Sequence, residues 1–139
     1  GPEKQNLIEL ADELNLQNNI IFLGQMEREQ VKSLMHESQF YVLSSHVETF
    51  GVVVIEALSQ GTPVVATNCG GPESILTRED GYLVDVNNVD ALAEGMKNIL
   101  VNSGKFNSVD IRNRCLERFS EKAFIERVLN IYQVCMDKA

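Results

Sequence analysis

Several features are scarce in this chain of 139 residues. Three prolines and nine glycines are too few for a fibrous or low-complexity protein. Basic residues are outnumbered, 12 against 20 acidic ones, for a net charge of -8 at pH 7. Affinity for a phosphate backbone needs a basic surface, so nucleic acid is not expected as a partner. No apolar run approaches the roughly 18 residues needed to span a bilayer, so no transmembrane segment is expected. The opening residues lack the basic-then-apolar pattern of a secretory leader. Cys69, Cys115 and Cys135 are an odd, widely spaced set without a C-x-x-C pair. They read as reduced thiols of a cytoplasmic protein, not as a disulfide framework or a zinc site. His36 and His46 stand 10 residues apart with no third ligand pattern beside them, so no metal site is expected.

What is present is 44% hydrophobic and 23% charged. That composition excludes a disordered segment and fits one soluble globular domain over residues 1–139. Such a chain can bury about two-thirds of its unfolded surface.

Helix-period and strand-like segments alternate. Pro2 to Leu14 places Leu7, Ile8, Ala11 and Leu14 on one stripe, which predicts an amphipathic helix. Ile20 to Gly24 is a short apolar run closed by glycine and reads as a buried strand. Glu27 to Glu37 is helical, with Val31, Leu34 and Met35 facing in. Phe40 to Leu43 is a second strand, Phe50 to Gln60 a helix stopped by Gly61, and Pro63 to Thr67 a third strand. Pro72 to Leu76 is a short helix opened by proline, and Gly81 to Val84 a fourth strand. Val89 to Leu100, Asp110 to Phe119 and Glu121 to Met136 are further helices. Short, continuous, apolar strands between helices predict a parallel sheet covered on both faces, an α/β fold. No repeat or linker divides the chain.

In open parallel sheets ligands bind beyond the carboxyl ends of the strands. Two such ends are unusual here: Ser44-Ser45-His46-Val47-Glu48-Thr49-Phe50-Gly51 and Thr67-Asn68-Cys69-Gly70-Gly71-Pro72-Glu73. If their strands are neighbours, both loops line one crevice. Thr49 is a candidate N-cap, which leaves the N–H groups of Phe50, Gly51 and Val52 without intrahelical partners. Free donors and the positive helix end make an anion site, and Gly51 has no side chain to obstruct it. The helix that follows is apolar nearly all round except at Glu56. A carboxylate there needs hydrogen-bond donors, from sugar hydroxyls, a basic residue or solvent. Singly, Glu48 also fits a solvated loop, Gly51 a packing position and Gly70-Gly71 a tight turn.

Together these residues carry a resemblance. Glu48-Thr49-Phe50-Gly51-x-x-x-x-Glu56-Ala57 resembles the Glu-x7-Glu motif of retaining glycosyltransferases of the GT-B fold, most of all the bacterial group 1 family. The surrounding segments agree. They are Asn19-Ile20-Ile21-Phe22-Leu23-Gly24 before the motif, then Gly61-Thr62-Pro63-Val64-Val65-Ala66-Thr67, Gly70-Gly71-Pro72-Glu73 and Asp80-Gly81-Tyr82-Leu83-Val84 after it. The resemblance covers nearly the whole chain.

The resemblance implies a Rossmann-like, three-layer domain, the C-terminal half of the GT-B fold, which holds a nucleotide-sugar donor. It implies that Glu48 orients the donor sugar and that Glu56 binds the ribose hydroxyls. The backbone about Thr49, Phe50 and Gly51 would face the diphosphate. Gln25 and Met26, in the turn after Gly24, would lie against the base. Gly70 and Gly71 would shape the sugar end. No metal cofactor is implied, because fixed N–H dipoles stabilise the departing diphosphate. His46 is expected near the donor rather than as a base, and His36 at a surface.

Members of that family have two further βα units, which carry an Arg/Lys pair, and an N-terminal acceptor domain. Neither has a counterpart here. The expectation is therefore an N-terminally truncated piece of a sugar transferase, inactive alone. The missing strands would sit between Ile20–Leu23 and Phe40–Leu43. Their absence predicts either direct pairing of those two segments or a homodimer through the Phe40–Leu43 edge. The alternative function is a non-catalytic module that binds nucleotide weakly or serves as an interaction surface. A dehydrogenase lacks support, because no G-x-G-x-x-G follows a strand. A phosphorylase of this fold would need a cofactor-lysine motif that is not found.

Overall fold

Three short apolar segments, Tyr41–Leu43 (β1), Val64–Thr67 (β2) and Gly81–Val84 (β3), form an all-parallel sheet in the order β1-β2-β3. Tyr41 stands opposite Val64, and Val64 opposite Gly81. Val64, Val65 and Ala66 are wholly buried, which explains why the central strand is a continuous apolar run and not an alternating one. The structure is a computed structural model that describes residues 1–137.

Seven helices surround the sheet among the described residues: Lys4–Glu13 (α1), Arg28–Glu37 (α2), Val52–Ser59 (α3), Pro72–Ile75 (α4), Val89–Val101 (α5), Ser108–Phe119 (α6) and Glu121–Met136 (α7). Their starts follow local chemistry. Glu27 and Gln30 form a reciprocal capping box on α2. Asn88, Asn107 and Ser120 accept N–H groups of the first turns of α5, α6 and α7. α3 lies against β1 and β2, and α5 against β2 and β3, so the domain has helix, sheet and helix layers. α6 packs along α3, with Ile111 and Cys115 buried between them and the Cys115 thiol 3.5 Å from the Ile55 carbonyl. The Thr62 hydroxyl donates to the Met35 carbonyl at 2.6 Å and ties the end of α2 to the turn before β2.

This is the α/β, Rossmann-like architecture expected from the sequence, with two corrections. Ile20 to Gly24 is not a strand and does not pair with β1; Ile21 is 81% exposed. A strand requires a neighbour for its backbone groups, and no strand among the described residues lies beside this segment. The rearranged sheet therefore does not form, and the outer edge of β1 is open. In α2, Val31 and Met35 face the core but Leu34 is exposed. The cysteines are free thiols: Cys69 and Cys115 are buried and Cys135 is exposed. Among the described residues no helix is long and apolar enough to cross a membrane.

Candidate functional site

β1 and β2 are neighbours, so the loops at their carboxyl ends meet. The Glu48 N–H donates to the Cys69 carbonyl at 2.9 Å, and the Gly71 N–H donates to the Glu48 carbonyl at 2.9 Å. Glu48 and Gly70 form an isolated parallel bridge that extends the β1–β2 ladder into the loops. The Thr67 hydroxyl bonds the Ser45 carbonyl and fixes the exit from β1. The Ser45 hydroxyl donates to Oε1 of Glu48 at 3.1 Å, which holds the half-buried carboxylate in place. Glu73 accepts the Gly70 N–H with both carboxylate oxygens, at 2.8 and 2.9 Å. That bond withdraws one donor from any ligand at this turn.

Thr49 is not the N-cap of α3; Gly51 is, in the left-handed region at φ 84°. Threonine is the favoured residue type in isolation, but the chain must reverse against α4 here. A Cβ on Gly51 would meet Ile75 at 3.4 Å and the Pro72 ring at 3.6 Å. Only glycine takes that conformation in that space without strain. Gly71 is equally confined, since a Cβ there would lie 2.3 Å from the Phe50 carbonyl.

The consequence is a row of donors. Among the described residues, no hydrogen bond uses the N–H of Thr49, Phe50, Gly51, Val52 or Val53; the first bond of the helix is Val54 N–H to the Gly51 carbonyl. These groups stand at the positive end of α3, beyond the carboxyl end of β1. Glu48 precedes the row in the chain, and Glu56 follows it, a turn into α3. The Glu56 side chain is 35% exposed and lies 3.8 Å from the Arg28 guanidinium, which is 79% exposed. An ion pair this open contributes about 1 kcal/mol or less.

Gln25 and Met26 precede Arg28 in sequence. Neither makes a hydrogen bond to the two loops among the described residues. Met26 instead borders a groove of about 450 Å³ lined also by Pro2, Leu7, Phe22 and Leu23. His46 is exposed in the first loop, and His36 is exposed, with Nδ1 3.2 Å from the Gln60 carbonyl. No group of three His, Cys, Asp or Glu side chains converges among the described residues.

Sequence reasoning missed two neighbours of the site. Tyr41 shares the surroundings of both carboxylates. Burial pushes its phenol up, and the charges of Glu48 and Glu56 push it further. It therefore stays protonated and able to donate. Arg28 reaches Glu56 from a different helix, and no spacing rule links the two. An aromatic residue at the start of β1, the strand that ends in the Ser-Ser turn, was the one available signal for Tyr41.

An open parallel sheet whose first two strands end in a paired loop is a Rossmann-like arrangement, and in such sheets ligands bind beyond the carboxyl ends of the strands. Residues 1–120 match the family described as glycosyl transferases group 1, and the chain belongs to it. It is 32% identical over 135 residues to the 2-deoxystreptamine N-acetyl-D-glucosaminyltransferase of Niallia circulans, covering 95% of this chain and 35% of that protein. The sucrose-phosphate synthase of Thermosynechococcus elongatus superposes with a TM-score of 0.83 at 28% identity, over 100% of this chain and 36% of that one. Anabaena HepE, solved in complex with UDP, superposes with a TM-score of 0.82 at 23% identity, over 94% of this chain and 36% of that one; at that identity the likeness shows the fold. The fold is that of GT-B glycosyltransferases, and the chain spans about a third of the length of these relatives.

Proposed function

We propose that this chain is the C-terminal, donor-binding part of a retaining glycosyltransferase, which moves a hexosyl group from a nucleoside-diphosphate sugar to a glycan or lipid acceptor. The observation that carries the reading is the free N–H row from Thr49 to Val53, flanked by Glu48 and Glu56 at the carboxyl end of the sheet. A diphosphate set on that row takes up backbone donors that are already fixed in place. As the glycosidic bond breaks, the diphosphate gains charge, and the donors stabilise it without rearranging. In this reading no metal ion is required for that step. Glu48, oriented by Ser45, accepts hydroxyl groups of the donor sugar and aligns its anomeric carbon. Glu56 accepts the ribose hydroxyls, and Arg28 moves aside into solvent. Gln25 and Met26 form the side facing the base, and Gly70 and Gly71 the side facing the sugar.

In this reading the acceptor side of the reaction belongs to a separate, N-terminal domain. Its open β1 edge at Phe40–Leu43 is where a second copy, or further strands, would add. We place the protein in the cytoplasm on its free thiols. A second reading, a non-catalytic module that binds nucleotide weakly, draws on one observation: Glu56 already has Arg28 within 3.8 Å, so a ribose must displace a partner.

Calorimetric titration with UDP, GDP and ADP tests the proposal. UDP is the first probe, because HepE was solved with it. One nucleotide is expected to bind saturably. Glu56→Gln is expected to weaken that binding by about 1–3 kcal/mol, the usual loss for a charged hydrogen-bond partner. Unchanged affinity in Glu56→Gln would remove Glu56 from the site. No binding of any of the three would reduce the reading to shared ancestry.

A further inference from the structure

The Glu48–Gly51 loop rests on α4, against Pro72 and Ile75. α4 is a single turn of 4 residues, too short to hold its own shape. Its final carbonyls lack intrahelical partners. One side chain takes two of them. Arg118, in the last turn of α6, donates from Nη1 to the Ile75 carbonyl at 2.8 Å and from Nη2 to the Ser74 carbonyl at 2.9 Å. Its guanidinium lies over the Phe119 ring, 4.7 Å from the centroid, which restrains it further. At the other end of α4, the Ser74 hydroxyl donates to the Gly71 carbonyl at 2.8 Å. The Gly71 N–H then holds the Glu48 carbonyl at 2.9 Å.

Arg114, one turn earlier on α6, binds elsewhere. It donates from Nε and Nη2 to Oδ1 of Asp80 at 2.9 and 2.7 Å, and from Nη2 to the Glu79 carbonyl at 2.9 Å. Asp80 is 2% exposed and also accepts the Thr77 hydroxyl. That clamp closes the approach to β3 and touches neither ligand loop.

We propose that Arg118 is a positioning residue for the Glu48 loop. It pins α4, α4 fixes the Gly70-Gly71 turn, and the turn sets the backbone from which Glu48 and the free N–H row project. Arg114, in the same helix and of the same charge, supports stability alone. The effect of Arg118 on a ligand rests on the donor-site reading; its effect on the loop does not.

Amide hydrogen exchange on the whole chain tests this in Arg118→Ala, Arg118→Lys and Arg114→Lys. Arg118→Ala is expected to speed exchange at the Gly71 and Glu48 amides about tenfold, the loss of roughly one charge-assisted hydrogen bond. The β2 amides serve as the reference for global opening. Arg118→Lys is expected to restore most of the protection. Arg114→Lys is expected to lower the melting temperature while the two loop amides, corrected for global opening, keep their rates. The proposal is overturned if Arg118→Ala changes only the melting temperature, or if Arg114→Lys frees the two amides equally. Titration of the same proteins with UDP, GDP and ADP separates the two readings. Weaker binding in Arg118→Ala joins them. A wild-type chain that binds none of UDP, GDP and ADP while Arg118→Ala still frees the Gly71 amide ends the donor-site reading and upholds the positioning role.

Discussion

Between Tyr41 and Phe119 the large apolar side chains are mostly covered; in α1, in the segment that follows it and in α7 they are mostly not. Val54, Val64, Val65, Ile75 and Ile111 are wholly or almost wholly buried. Leu7, Leu10, Ile21 and Leu23 near one end are exposed, as are Phe124, Leu129, Ile131 and Tyr132 in α7. Both regions carry apolar residues at helical or strand-like spacing. The contrast teaches that periodicity reports which face seeks cover, and is silent on what supplies it. In the central region the sheet supplies it, and the two loops at the carboxyl ends of β1 and β2 are anchored in that packing. The ends gain little from the sheet, so their apolar faces contribute little to the stability of this chain.

Ile75→Ala is expected to have the largest effect. Ile75 is wholly buried and supports Gly51 from below. Its truncation is expected to cost about 3 kcal/mol, read as a lower urea midpoint at unchanged slope. A cost under about 1 kcal/mol would mean the site does not rest on the core.

Thiol chemistry sharpens the same contrast. Cys135 is exposed on α7, whereas Cys115 is buried under α3. Burial pushes the Cys115 thiol up, the Asp80 charge adds to this, and Arg118 opposes it. A raised thiol pKa means less thiolate at any pH below it, so reaction there is slow. Alkylation at pH 8, followed by peptide mass spectrometry, is expected to label Cys135 at least about tenfold faster than Cys115. Equal rates would show that the α3–α6 interface opens readily.

The smallest expected effect lies at the end of the chain. Phe124 is 66% exposed. Phe124→Ser is expected to change the unfolding free energy by no more than about 0.5 kcal/mol in dilute solution. A loss above about 1.5 kcal/mol would show that α7 is covered in solution after all.

Much of the fold was legible because local and tertiary signals agree. The run Val64-Val65-Ala66 reads as a buried strand and is one. α5 starts at Val89 and α7 at Glu121, where the apolar periodicity begins them. The failures share one cause. Ile20-Ile21-Phe22-Leu23 has the composition of a strand, but a strand is made by its neighbour, and sequence does not display neighbours. Thr49 has the chemistry of an N-cap. Gly51 takes the position because α4, far along the chain, dictates the backbone there. The pairing of the Glu48 and Gly70 loops was readable, since both lie at carboxyl ends of candidate parallel strands. Arg28 and Arg118 were not, because Arg28 meets Glu56 from another helix and Arg118 meets the α4 carbonyls from α6.

We propose that the unpaired N–H groups at the start of α3 receive the phosphates of a nucleotide. Amide chemical shifts of the ¹⁵N-labelled chain during titration with UDP test it most directly. Saturable shifts are expected at Phe50, Gly51, Val52 and Val53, with smaller ones at Glu48 and Gly71. Saturable shifts that leave those amides unmoved and cluster elsewhere, for example around Tyr82 and Lys105, would contradict it.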